Sequence, residues 1–170
     1  MQEVTLFENK LRVCLSDDFY LVQEPEAFEM FPYQERPQFI FAVAGFSKYL
    51  TFSLLDKKLE AEEPVKIIKE LRKLIWSLYP SSLLSEATPI PFGNLKCSGF
   101  SFSTGVGDAQ VFNTMFAVSF ENRLLLGTFG CGIGDEDGKT LLRKIIREAE
   151  YLKTDTKTDR WRTNERCRIR

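Results

Sequence analysis

A chain of 170 residues, 44% of them hydrophobic, is long enough for one domain with a sizeable core. Its 23 basic and 24 acidic residues leave a net charge of −1, and it contains no histidine, which excludes Ser-His-Asp and Cys-His catalysis and histidine-ligated metal sites within the chain. The four cysteines, Cys14, Cys97, Cys131 and Cys167, lie far apart without the paired short spacing of a zinc site.

The near-neutral total hides opposed regions: residues 1–36 hold eight acids against three bases, and residues 153–170 hold seven bases against three acids. Met1-Gln2-Glu3-Val4-Thr5 is not the basic, apolar start of a signal peptide, and no segment approaches the roughly 18 apolar residues of a membrane span. The expectation is a soluble, cytoplasmic protein with reduced thiols and no membrane insertion.

The chain opens with a hairpin, Val4 and Leu6 answered by Leu11, Val13 and Leu15 across Glu8-Asn9-Lys10, and Phe19 to Val22 adds a short strand. Residues 23–38 break regularity at Pro25, Pro32 and Pro37, yet hold Phe28, Met30, Phe31 and Tyr33 among Glu24, Glu26, Glu29 and Glu35. Such aromatics either fold back as a lid over the core or stand out as anchors for a partner. Phe39 to Val43 and Tyr49 to Leu55 read as an antiparallel pair joined near Gly45-Phe46-Ser47-Lys48.

A helix follows. Glu62 and Glu63 suit its positive end, Pro64 its first turn, and Val65, Ile68, Leu71, Leu74, Ile75 and Leu78 form the expected buried stripe, with Pro80 as the stop. A long linker through Pro89 and Pro91 then leads to a strand from Cys97 to Thr104, in which Phe100 and Phe102 share a face opposite Gly99, Ser101 and Ser103.

The organising unit runs from Val111 to Lys153. Phe112, Thr114, Phe116, Val118 and Phe120 fall at every second position, a tight turn follows at Glu121-Asn122-Arg123, and the return strand Leu124 to Phe129 is apolar on both faces. Such a strand belongs at the centre of a sheet covered on both sides. Asp135 and Asp137 offer N-cap oxygens to a helix whose apolar line is Leu141, Leu142, Ile145, Ile146, Ala149 and Leu152. The expected core is Phe41, Phe52, Ile68, Leu71, Ile75, Phe100, Phe116, Val118, Leu126, Ile145 and Ile146, with Ala149 in close helix contact. The resulting class is α+β, a layered sandwich with a mainly antiparallel sheet of about six or seven strands and two principal helices. Residues 1–153 make one domain, and 154–170 form a polar basic tail.

The element order resembles the PsbP-like sandwich of the photosystem II extrinsic P subunit, a Ran-binding nuclear import factor and DcrB-type lipoproteins. Relatives open with a strand ending in Leu-Pro, a gap residue, then Gly-Phe or Gly-Trp; here Leu15-Ser16-Asp17-Asp18-Phe19 stands in that place, without the Pro and Gly. The closing pattern is the nearer half: a return strand Arg123 to Phe129, an acidic loop, and a terminal amphipathic helix from Gly138 to Leu152. The resemblance spans residues 4–152. It implies binding and assembly work more often than catalysis, with no shared cofactor or active site, so no functional residue is carried over.

The glycine loop Gly130 to Thr140 lies between strand and helix, where a phosphate loop would sit. The spacing fails, because the glycine required before Gly138-Lys139-Thr140 falls at Ile133, and three carboxylates repel phosphate. Asp135-Glu136-Asp137-Gly138 likewise lacks the ligand alternation of a calcium loop. Cys131, beside glycines near a helix start, is the candidate reactive thiol; the alternative is a compact buried cysteine at a strand end. Arg160, Arg162, Arg166, Arg168 and Arg170 around Trp161 have the ingredients for phosphate contact and stacking, but three acids interrupt them, and no specific nucleic-acid partner is expected.

The sequence therefore reads as a non-enzymatic protein-interaction or assembly module without cofactor or metal. Its candidate partner-binding residues are Phe28, Phe31, Tyr33, Glu29 and Glu35, or else an exposed sheet edge. The alternative is a small-molecule binder or cysteine-dependent enzyme with a cleft near residues 130–138.

Overall fold

The structure, a computed structural model, describes residues 1–32 and 35–153. Tyr33 and the tail from residue 154, with Trp161 and its arginines, lie outside the described residues.

The elements run β1 (Gln2–Leu6), β2 (Leu11–Leu15), β3 (Phe19–Leu21), a short α1 (Glu26–Met30), β4 (Phe39–Val43), β5 (Lys48–Lys58), α2 (Pro64–Leu78), β6 (Thr88–Pro89), β7 (Cys97–Val106), β8 (Ala109–Phe120), β9 (Arg123–Gly132), α3 (Glu136–Arg147) and β10 (Glu150–Tyr151). Seven strands form one antiparallel sheet in the order β3-β4-β5-β9-β8-β7-β6. The doubly apolar β9 is its fourth strand, as the run Leu124-Leu125-Leu126 requires.

Alternation along the strands then builds a core on each face. On one, Phe41, Phe52, Phe116, Val118, Leu125 and Phe129 meet Leu142, Ile145 and Ile146 of α3 and the apolar side of β1 and β2. On the other, Phe100, Phe102, Ala117 and Leu124 meet Ile68 and Ile75 of α2. Every residue expected in the core is buried except Leu71 and Leu126, which are half-buried against the α2 core. Two rings cross glycines of β9. Phe116 lies opposite Gly127, and Tyr49 lies opposite Gly130 and reaches over it to donate to Asn113 Oδ1. A Cβ built on either glycine would come within 3.0 Å of three atoms of the aromatic side chain above it.

Two expectations need correction, and the opening hairpin takes a place of its own: β1 and β2 form a separate three-stranded sheet with β10. The apolar side of β2 (Leu11, Val13, Leu15) faces the core, and its free edge is taken by the chain's return. The terminal helix stops at Arg147, short of Leu152, because Gly93 N–H takes the Arg147 carbonyl at 3.0 Å. An Arg12–Glu150 ion pair and a Leu152 N–H to Lys10 O bond of 2.8 Å then turn the chain into β10. Finally, Leu74 and Leu78, assigned to the buried stripe, are exposed. Beyond Ile75 nothing in α2 is buried, so its last turn overhangs the sheet.

The two hairpin turns of similar composition are both left-handed, with positive φ at Phe7, Glu8 and Asn9 and at Glu121 and Asn122, and the fold sets them side by side. Lys10 bonds Glu121 at 2.9 Å, and Tyr151 OH donates to the other Glu121 oxygen at 3.1 Å.

Candidate functional site

The acidic aromatic segment is divided by its short helix. Ala27 is buried, and Met30 and Phe31 pack with it against Val22, Ile40 and Ala42 on the α2 side of the sheet, so these residues roof the region over β3 and β4. Phe28 points away at 54% exposure, and Glu29 and Glu35 are exposed. Arg36 pairs with Glu24 and places its guanidinium 5.6 Å from the centre of the Phe28 ring. Tyr20, on the edge strand β3, donates to Glu26 at 2.8 Å and ties that edge to α1. Acids, an exposed phenylalanine and an edge tyrosine thus share one end of the sheet. Such a surface complements a partial positive charge with an apolar side chain beside it.

The glycine loop is a helix cap. Asp135 accepts from Gly138 N–H at 2.8 Å and pairs with Lys48 at 3.2 Å, which hold its carboxyl below the usual aspartate range. Gly138 is needed because a Cβ there would run into the Asp135 carboxylate. Cys131 sits under this turn, 2% exposed, with its thiol directed at the Asp135 carbonyl. Burial, and next the Asp135 charge, push its pKa up, so the thiol is protonated at neutral pH. Cys97 is raised further, to about 12, by burial alone. Cys14, Cys97 and Cys131 are free thiols, and among the described residues no three potential ligands gather as a metal site.

Two clefts open elsewhere. One of about 290 Å³ lies at the paired turns between Phe7, Lys10, Leu54, Glu121 and Arg123. Arg123 Nε is shut off from solvent there with no hydrogen-bond partner among the described residues. The other, about 460 Å³, lies between the start of α2 and the β6–β7 edge, bounded by Pro64, Val65, Ile90 and Cys97. Neither is readable from sequence, since each joins residues more than twenty positions apart.

The largest feature the sequence conceals is the overhanging end of α2. Leu74, Trp76, Leu78 and Tyr79 are 51%, 54%, 61% and 45% exposed, and Leu83, just past the turn that follows, is 80% exposed. Helical periodicity counted Leu74 and Leu78 as core because it reports a face and not where the sheet beneath it ends. Trp76, off the stripe altogether, was the available signal.

No protein-family model and no curated protein sequence matches the chain. Solved structures do. A protein from Bacteroides thetaiotaomicron VPI-5482 superposes with a TM-score of 0.63 at 9% identity over 89% of this chain, which spans 48% of that protein's length. Cyanobacterial PsbP from Synechocystis sp. PCC 6803 gives 0.60 at 9% identity, covering 89% of this chain and 92% of its own. A point mutant of the protein Mog1 gives 0.51 at 9% identity over 90% and 96%. The chain has the PsbP-like fold that PsbP and Mog1 share. At such identity the likeness is one of fold, and it carries no site residue across.

Proposed function

We propose that this domain is a non-enzymatic protein-interaction or assembly module that engages a protein partner through the acidic aromatic end of its sheet. The observation that supports this reading is Phe28, a ring 54% exposed with the Arg36 guanidinium over it, on a segment whose neighbours Ala27, Met30 and Phe31 are docked. A ring held out by an anchored backbone binds with little loss of conformational freedom, the usual setting for an interface hot spot. Glu26, Glu29 and Glu35 around it favour a basic rim on the partner, and Tyr33 completes the aromatic set in sequence. Strand β3 is only three residues long, so the contact is made by side chains and not by adding a strand.

The test places a photo-crosslinking phenylalanine analogue at position 28 and, as control, at the exposed Leu55 on β5, in cells that make the protein. A discrete adduct from position 28 alone supports the reading. No adduct from it, or the same adducts from both positions, ends it. Phe28→Ala is expected to remove the partner at an unchanged melting temperature, whereas Phe31→Ala lowers the melting temperature itself.

A further inference from the structure

We propose that the overhanging end of α2 is a docking site for an anionic lipid surface. Five large apolar side chains crowd that end: Leu74 and Leu78 on one flank of the helix, Trp76 and Tyr79 on the other, and Leu83 on the following turn, where Ser82 N–H bonds Tyr79 O at 3.0 Å. A soluble monomer rarely leaves so many large apolar side chains exposed around one helix end, so that end calls for an occupant.

Charge selects which one. At about 100° of rotation per residue, Lys66 and Lys73 stand opposite the buried Ile68–Ile75 line and Lys69 beside them; all three are exposed and make no ion pair among the described residues. Glu70 is the only acid within the helix, and Arg72 is turned away to Ser85 O at 2.6 Å and Glu86. Lysines with long apolar stems, an indole and a phenol flanking leucine tips, and one acid among them make up the pattern of a surface-lying amphipathic helix. The exposed side chains stand on a helix end and the turn after it, which suits a deformable headgroup layer into which they sink. Trp76 and Tyr79 take the interfacial position their polar tips require, and the lysines reach back to lipid phosphates. This is docking on a surface: no helix among the described residues is long and apolar enough to cross a membrane.

The test uses the full chain with Trp161→Phe, so that Trp76 is the sole indole. It is titrated with vesicles of phosphatidylcholine alone and of phosphatidylcholine with phosphatidylglycerol, at low and at physiological salt. A saturable blue shift of Trp76 emission is expected with the anionic vesicles only, weakening as salt rises. Leu78→Ser with Leu83→Ser, both at exposed positions, is expected to weaken partitioning at least about tenfold. Each Lys→Glu at 66, 69 and 73 should weaken it about fivefold or more. Vesicle binding without a Trp76 shift would mean that the basic tail holds the protein there, and it overturns the proposal. So does a blue shift that grows with protein concentration in the absence of lipid, the mark of a second copy covering the patch. A shift indifferent to the two leucine substitutions also overturns it.

Discussion

Gly127→Ala should be among the most damaging single-methyl additions in this chain. Its Cβ would come within 3.0 Å of three ring atoms of Phe116, directly opposite on β8, and that ring has nowhere to go. Phe116 is fully buried and touches Phe52, Phe92 and Phe129, with ring centres 6.1, 5.8 and 6.3 Å away. Overpacking of this kind costs about 1–3 kcal/mol, and a middle value of about 2 kcal/mol lowers the melting temperature of a domain this size by about 4–8 °C. The assay is chemical and thermal unfolding of wild type, Gly127→Ala, Phe116→Leu and the double variant. Removing the ring removes what the new methyl meets, so the double variant should be less destabilised than the sum of the singles, by about 0.5 kcal/mol or more. Strict additivity within about 0.3 kcal/mol, or a Gly127→Ala protein as stable as wild type, would refute the claim that ring and glycine share one space.

Ile75→Ala should cost about 2–5 kcal/mol, while Leu78→Ala, one turn on, should leave unfolding nearly unchanged; equal losses would mean that the end of α2 is covered. Asp135→Ala should cost about 1 kcal/mol through loss of the α3 cap, with Asp135→Asn retaining most of it by the same unfolding measurement. With Cys167 replaced by Ser, a thiol reagent at neutral pH should modify Cys14 in the native protein well before Cys97 and Cys131; early labelling of Cys131 would support the reactive-thiol reading instead. Bonds from Lys10 and Tyr151 hold the Glu121 pKa below its unfolded value, so its contribution is present above about pH 4.3 and is lost as pH falls through the folded pKa. Lys10 is raised, so its share is present below about pH 10.4 and is lost as pH rises through the folded value. The stability difference between wild type and Glu121→Gln should therefore close in acid, and a gap that persists below both carboxyl pKa values would remove the ion pair as its source.

Period-two and period-3.6 patterns report which face of an element is buried, and where local pattern sufficed the sequence was legible. It identified β9 as central from Leu124-Leu125-Leu126, the faces of β7 and β8, and the Asp135 cap. What it hid depends on how far neighbouring elements extend. Leu74 and Leu78 continue the α2 stripe faithfully but run past the sheet that would cover them. Ala149 and Leu152 continue the α3 stripe, yet the Gly93 contact ends that helix from a point more than fifty residues away. The acidic aromatic segment stands out by composition, and its dual character, Phe31 docked and Phe28 out, turns on a helix of five residues that no periodicity could announce.

The pairing of β10 with β2 has a consequence for biosynthesis. Arg12 must wait for Glu150, and the small sheet that shields one face of the core stays incomplete until nearly the whole domain has left the ribosome. The nascent chain would meanwhile leave the edge of β2 unpaired at Leu11 and Arg12, a natural point of capture for a chaperone.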